Sequence, residues 1–283
     1  MSNTPTGQGK ADPSLRSGFR RAAQTPRNRL NILITNDDGV NAEGLRALEE
    51  ALQAVSAAVW VVAPVTEMSA SSHAISLQRP VRYEKLSERK FAVEGTPADA
   101  VIVALNKLLP EPPDLVISGI NRGGNMGENV FYSGTLAAAL EAVLNRIPAF
   151  AISVASRGAF DYDVAARFAV KLAEKILREP LPPGLVLNVN VPMPWKNGVQ
   201  LTRQSQKISK NILVENIDPR GRNYYWIHEQ IDLSRIEPGT DYAAVRAGSI
   251  SITPLHTDRT DPGALADLSG WFEELNRFAL TAD

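Results

Sequence analysis

The 283-residue sequence contains no cysteine, which excludes disulfide frameworks, thiolate metal sites and cysteine nucleophiles, and leaves metal chemistry to oxygen or imidazole donors. Histidine is scarce as well: His73, His228 and His256 are too scattered to form a zinc motif. Neither charge sign is in surplus, since 30 basic and 31 acidic side chains leave a formal net charge of -1. No global field therefore draws the molecule to nucleic acid or to an anionic membrane, and any phosphate affinity must be local. No apolar run approaches the roughly 18 residues of a membrane span, and the N-terminus lacks the apolar core of a secretory signal. These absences predict a soluble, cytoplasmic chain. Three motifs are also missing: G-x-x-x-x-G-K-[ST], a G-x-G-x-x-G after the first strand, and G-x-S-x-G. Their absence argues against a Walker-type triphosphatase, a dinucleotide-binding fold and an α/β-hydrolase.

What is present is a chain with 44% apolar residues, enough to bury a core. Residues 1–29 carry six basic side chains against one acid and have no hydrophobic periodicity. They read as a disordered basic extension, either a solvated tail or an organelle transit peptide. From Leu30 the pattern changes. Asn31 to Asn36 is a branched apolar run, Leu45, Leu48, Leu52 and Val55 recur at helical spacing, and Val59 to Ala63 is uniformly apolar. Strand, helix, strand implies a parallel crossover. The alternation continues through a helix at about 97–109 with Pro97 in its first turn, and a strand at 115–118. A helix bearing Leu136, Leu140, Val143 and Leu144 follows, then a strand at 149–154, a helix at 164–176 and a strand at 185–191. The fold class is α/β, a Rossmann-like, doubly wound, mostly parallel sheet over about 30–195. Residues 196–283 are less regular, with strands at 199–204, 224–231 and 249–253 and a helix at 268–280, and read as a smaller β-rich lobe or arm.

Ligands of such sheets bind beyond the carboxyl ends of the strands, which selects the loops at 36–41, 64–74 and 119–135, with less to offer after Val154. In the first, Asp37 and Asp38 stand together at the end of a buried strand, where two unpaired carboxylates repel and a divalent cation relieves them. Oxygen donors favour Mg²⁺, Mn²⁺ or Ca²⁺ over zinc. The plainer alternative is an Asp-Gly turn with Asp38 as a helix cap, although a helix and not a hairpin strand follows. The second loop offers Ser69, Ser71, Ser72, Ser76 and His73, residues that are often merely solvated or structural. In the third, Asn121, Asn125 and Asn129 alternate with glycines before Ser133, Gly134 and Thr135 open a helix. Carboxamides can ligate a hard metal, and a helix start offers unpaired N–H donors to phosphate, though Ser133 or Thr135 also fits a helix cap.

The blocks ITNDDGVNAEGL, VVAP with its Ser-rich loop, GTPADAV and SGINRGGNMGENVFYSGT resemble those of the SurE family of nucleotidases, and TRQ at 202–204 and SITPLHTD at 251–258 fit as well. The resemblance runs from about Leu30 into the C-terminal region. It implies a phosphatase that uses one divalent cation per subunit, Mg²⁺ or Mn²⁺, to hydrolyse nucleoside 5′- and 3′-monophosphates, with exopolyphosphatase as a further activity. It places the metal on Asp37, Asp38, Ser69 and Asn121. Asn36, Asn125, Ser133, Gly134 and Thr135 are then the expected phosphate cradle. Three departures stand out: Val65 where the family often has Asp, Ala70 where Gly is common, and Ala100 where Cys is frequent.

These residues suggest attack on phosphorus by a metal-activated water in line with the leaving oxygen, with Asp37 or Asp38 taking the proton. An aspartyl-phosphate on Asp37 and a non-catalytic nucleotide sensor are the competing readings. The resemblance also implies a homodimer or homotetramer built by exchange of C-terminal segments. Residues 203–210 with Tyr224, Tyr225 and Trp226 are the candidate arm, or else a self-contained hairpin.

Overall fold

The structure, a computed structural model, describes residues 30–55, 58–156, 158 and 160–280. The basic extension expected over 1–29 lies outside the described residues. The chain opens with strand β1 (Asn31–Thr35), helix α1 (Glu43–Gln53), strand β2 (Ala58–Pro64), a short pair β3 (Tyr83–Lys85) and β4 (Lys90–Val93), and helix α2 (Pro97–Val103), which ends in a π turn. Strand β5 (Leu115–Arg122), helix α3 (Gly134–Leu144), strand β6 (Ala149–Ala155), helix α4 (Asp163–Arg178) and strand β7 (Leu185–Pro192) follow. The remaining elements are β8 (Asn197–Leu201), β9 (Ser209–Ile217), β10 (Asn223–Ile231), α5 (Asp241–Arg246), β11 (Ser249–His256), α6 (Pro262–Asp267) and α7 (Ser269–Leu280).

Nine strands form one sheet in the order β3-β4-β2-β1-β5-β6-β7-β11-β8. From β4 to β7 all neighbours are parallel. The chain builds outward from β1 in one direction through β2, then starts again at β5 on the other side. The topological switch point thus lies between β1 and β5, where Asp37 follows one strand and Asn121 ends the other.

Both faces are covered, which explains the continuous burial of β1 and β5. One core packs Ile32 and Ile34 against Leu45, Leu48 and Leu52 of α1 and Ala169, Ala173 and Ile176 of α4. The other packs Leu33 and Val116 against α2 and α3 through Val101, Leu136 and Val143. Each fully buried aliphatic side chain in these layers contributes about 1.5–3 kcal/mol. Proline 97 sits in the first turn of α2, whose capping box joins Thr96 and Asp99.

Of the C-terminal β-rich lobe or arm read in the sequence, a separate antiparallel ribbon is present, while other strands of that region join the main sheet. Strand β11 inserts between β7 and β8, antiparallel to the first and parallel to the second, so both belong to the main sheet. Its inward hydroxyls hid this: Ser251 and Thr253 bond Thr202 at 2.7 and 2.8 Å, a polar seam where a central strand usually shows an apolar run. What stands apart is the antiparallel ribbon of β9 and β10. Among the described residues no helix is long and apolar enough to cross a membrane.

Candidate active site at the switch point

Strand β1 ends in a turn built by Asn36, whose buried amide donates to the Gly39 carbonyl (2.9 Å) and accepts from its N–H (3.2 Å). The turn presents Asp37 inward, 4% exposed, and Asp38 toward the opening. Asp38 caps no helix: α1 begins after Ala42 without a side-chain cap, and the Asp38 carboxylate instead accepts the Arg122 N–H at 3.0 Å. That bond ties the first loop to the end of β5.

The end of β5 is bent for this purpose. Between Ser118 and Asn121 two residues of β5, Gly119 and Ile120, face one of β6, Ile152, a bulge that brings Asn121 opposite Ser153. Glycine is required in the bulge, since a Cβ on Gly119, at φ 141, would lie 2.3 Å from the Ile152 carbonyl oxygen. Asn121 then gives its amide to the Gly123 carbonyl at 2.7 Å.

Past the bulge, Asn125 is held on every side. Its N–H reaches Asn190 (2.8 Å), its carbonyl accepts from Asn188 (2.7 Å) and Asn190 (3.1 Å), and its amide donates to Ser153 (2.9 Å) and lies 3.5 Å from the Thr135 hydroxyl. Thr135 in turn donates a short hydrogen bond to Asp37. Ser133 caps α3 through the Leu136 N–H at 3.0 Å. Gly134 permits the close approach: a Cβ there would stand 2.9 Å from Asp37 Cβ and 2.7 Å from Ser71 Oγ.

The Ser-rich loop is drawn in by the Met68 N–H on the Asp37 carbonyl (2.7 Å). Ser69 itself is exposed and donates to Glu67 at 2.6 Å. Beyond it the loop is latched to both helices of one face. Ser72 bonds Phe131 and Tyr132 carbonyls, His73 pairs with Glu141 of α3 at 3.0 Å, Ser76 bonds Asp99, and Thr96 donates to the Ala74 carbonyl. On its far side, loop 123–132 is anchored by two more buried carboxylates. Glu128 accepts from Ser209 and Ile208, and Asp241 accepts from Gly127, Ser205 and Tyr242.

The electrostatics separate these carboxylates. Burial pushes Asp37 up to about 6, the Asp38 charge adding to it and the Thr135 bond opposing it. Asp38 is raised too, by burial, with the Glu67 charge beyond it. For Asp99 and Glu128 burial also acts upward, but their N–H and hydroxyl donors outweigh it and hold both below the ordinary carboxylate range. Among the described residues no three His, Cys, Asp or Glu side chains are gathered for a metal. The available donors are two adjoining carboxylates with hydroxyl and amide oxygens, one of which, Ser71 Oγ, is buried beside Gly134 without a hydrogen-bond partner.

Of the residues singled out in the sequence, Asp37, Asn125, Gly134 and Thr135 form one contact set. Asp38 and Asn121 adjoin it through Arg122, and Ser69 through Met68. Asn36 and Ser133 build the turn and the helix start. Ser153, Asn188 and Asn190 were not expected. Their signal is the NVN of β7, two amides on one face of an otherwise apolar strand, which must find polar partners.

Comparison with known proteins bears on this arrangement. The family described as Survival protein SurE matches residues 32–211. A protein named 5′-nucleotidase SurE from Myxococcus xanthus is 50% identical over 249 residues, covering 85% of this chain and 92% of that one. One of the same name from Geobacter sulfurreducens is 48% identical over 246 residues, covering 86% and 94%. The crystal structure of the Sure protein from Aquifex aeolicus superposes with a TM-score of 0.76 at 37% identity, over 85% of this chain and 98% of that one. With its mostly parallel sheet, its paired aspartates at the switch point and these matches, the chain belongs to the SurE family.

Proposed function

We propose that this protein is a divalent-metal-dependent phosphomonoesterase that hydrolyses nucleoside 5′-monophosphates. The observation that carries the reading is Asp37, a carboxylate buried at the switch point, pushed up to about 6 with Asp38 next to it. Isolated, the pair is poorly stabilised; beside a cation it is well placed. The relatives named 5′-nucleotidase SurE, at up to half identity over most of the chain, support the substrate class.

Asp37 and Asp38 would hold the cation, with the side chains of Ser69 and Asn121 completing a set of hard oxygen donors, as suits Mg²⁺ or Mn²⁺. The Ser71 hydroxyl fits this assignment, since it is buried without a partner among the described residues and flanks Gly134 together with Asp37. The chemistry a bound cation supplies is Lewis acidity toward a phosphoryl oxygen and a water. The chain does the rest. The backbone N–H groups at the first turn of α3 offer donors where the phosphoryl oxygens gather charge, and the Thr135 hydroxyl on Asp37 and the Asn125 amide on Ser153 hold that turn in place beside the carboxylates. Asp38, more open than Asp37, is the group within reach of a proton from an incoming water. Asp37 is enclosed by Thr135 and Gly134, which disfavours its use as a covalent nucleophile. Activity on 3′-monophosphates and on polyphosphate is part of the same reading, because the cradle grips only the phosphoryl group.

Phosphate release from AMP with Mn²⁺ or Mg²⁺, and its abolition by EDTA, is the test; a folded protein that releases none with any divalent cation is a sensor and not an enzyme. The assembly belongs to this proposal as well. The ribbon of β9 and β10 exposes Trp226 (65%) and Ile227 (75%), more than an isolated two-stranded ribbon tolerates. A homodimer or homotetramer covers it, and a strictly monomeric protein by light scattering at micromolar concentration removes that part.

A further inference from the structure

Loop 123–132 has two sides. Asn125 is turned toward Thr135, while Gly124 and Met126, its immediate neighbours at ~3.8 Å Cα spacing, line a separate cavity of about 340 Å³. The opposite walls of that cavity come from the end of β10, the segment after it and α5, through Ile231, Ile236, Tyr242 and Val245. We propose that this cavity receives the nucleoside of the substrate, with the base against Met126 and Tyr242. The proposal deepens the phosphomonoesterase reading and rests on it.

Four observations carry it. The volume lies within the range of small-molecule sites, about 300–1,000 Å³. The walls are apolar with one aromatic ring, and Asn129, Ser156 and Arg246 stand among the lining, the pattern that suits a flat heterocycle with apolar faces and polar edges. The dividing loop is fixed between the two compartments by Asn188 and Asn190 on the Asn125 backbone and by Asp241 on the Gly127 N–H (2.9 Å). A phosphate and a base bound on its two sides therefore have a set separation. The competing hollow, about 560 Å³ beside Phe160 and Tyr162, is lined by Glu43, Glu50, Asp161 and Asp163; Arg46 and Arg167 pair with Glu50 and Asp163 and leave an acidic surplus. That field repels a dianionic ester.

The test compares two esters of a primary 5′ hydroxyl, AMP and ribose 5-phosphate, on the full-length protein with Mn²⁺. Ile236→Trp fills the cavity from a partly buried wall, and Leu233→Trp fills it from a 40% exposed position where folding is insensitive to bulk. Each is expected to lower kcat/KM for AMP about tenfold through KM and to leave ribose 5-phosphate within about twofold. Adenosine should compete with ribose 5-phosphate in the unmodified protein, a readout that needs no variant. Equal losses on both esters, no loss on either, absence of inhibition by adenosine, or a selective AMP defect in Phe160→Ala would each overturn the assignment. If the unmodified protein hydrolyses neither ester, the phosphomonoesterase reading falls first, and that result is distinct from all of these.

Discussion

Two regions of this molecule bury carboxylates, and they treat them oppositely. At the joint where loop 123–132 meets the root of the ribbon, Asp241 and Glu128 are surrounded by N–H and hydroxyl donors. At the switch point Asp37 has the Thr135 bond, a neighbouring negative charge and a raised pKa. The first arrangement is what a structural carboxylate needs, because each buried donor it satisfies would otherwise cost about 1–3 kcal/mol. The second leaves unmet demand for positive charge. Burial alone does not mark a functional acid; an incomplete set of donors around it does.

The most severe way to test the contrast is Asp38→Asn. Phosphate release should fall about 10³-fold, the loss of several kcal/mol of charge stabilisation, with the unfolding midpoint not lowered, since burial raises this carboxyl as well; near-normal turnover in a folded variant breaks the assignment. At the joint the effect should be on stability instead. Asp241→Ala strands the Gly127, Ser205 and Tyr242 donors and should cost about 3–5 kcal/mol in urea unfolding, whereas a loss under 1 kcal/mol would erase the distinction between the regions.

The pH dependence sharpens it next. Burial lifts Asp37 from the ordinary value of 3.8 to about 6 in the fold, so the stability its protonated form contributes is whole below about 4 and gone above about 6. That is a loss of about 3 kcal/mol as pH rises. Glu128 and Asp99 run the other way: their contribution is present above the ordinary carboxylate pKa and is lost as pH falls through their lowered values. In EDTA, Asp37→Asn should be more stable than the unmodified protein at pH 7 by about 3 kcal/mol and equal to it near pH 4. A pH-independent difference sinks this. Smallest is Ser71→Ala, expected to shift stability by no more than about 0.5 kcal/mol because the hydroxyl has no partner to lose; a larger destabilisation would make Ser71 structural.

Much of this was legible in the residues. Apolar runs marked the parallel strands in NILIT and LVISG, and adjacency at the end of the first strand drew attention to Asp37 and Asp38. The strands β3 and β4 were missed because YEK is exposed and KFAV is only four residues, too short for either period to register. Strand β11 was visible but assigned to the less regular C-terminal lobe or arm, while the fold inserts it between β7 and β8 of the main sheet. The support around Asn125 was hidden for a different reason: Ser153, Asn188 and Asn190 lie on strands far from Asn125 in sequence, and only the fold order β5-β6-β7 brings them beneath it.

The Ser-rich stretch from Met68 to Ser76 carries no regular secondary structure, yet Asp37, Phe131, Glu141, Thr96 and Asp99 all grip it. Its shape is thus settled when the helices pack, before any ligand arrives. A substrate entering beside it meets a surface already in place, so little of the affinity is consumed in arranging the host, and bound and free forms should show the same amide protection along this stretch.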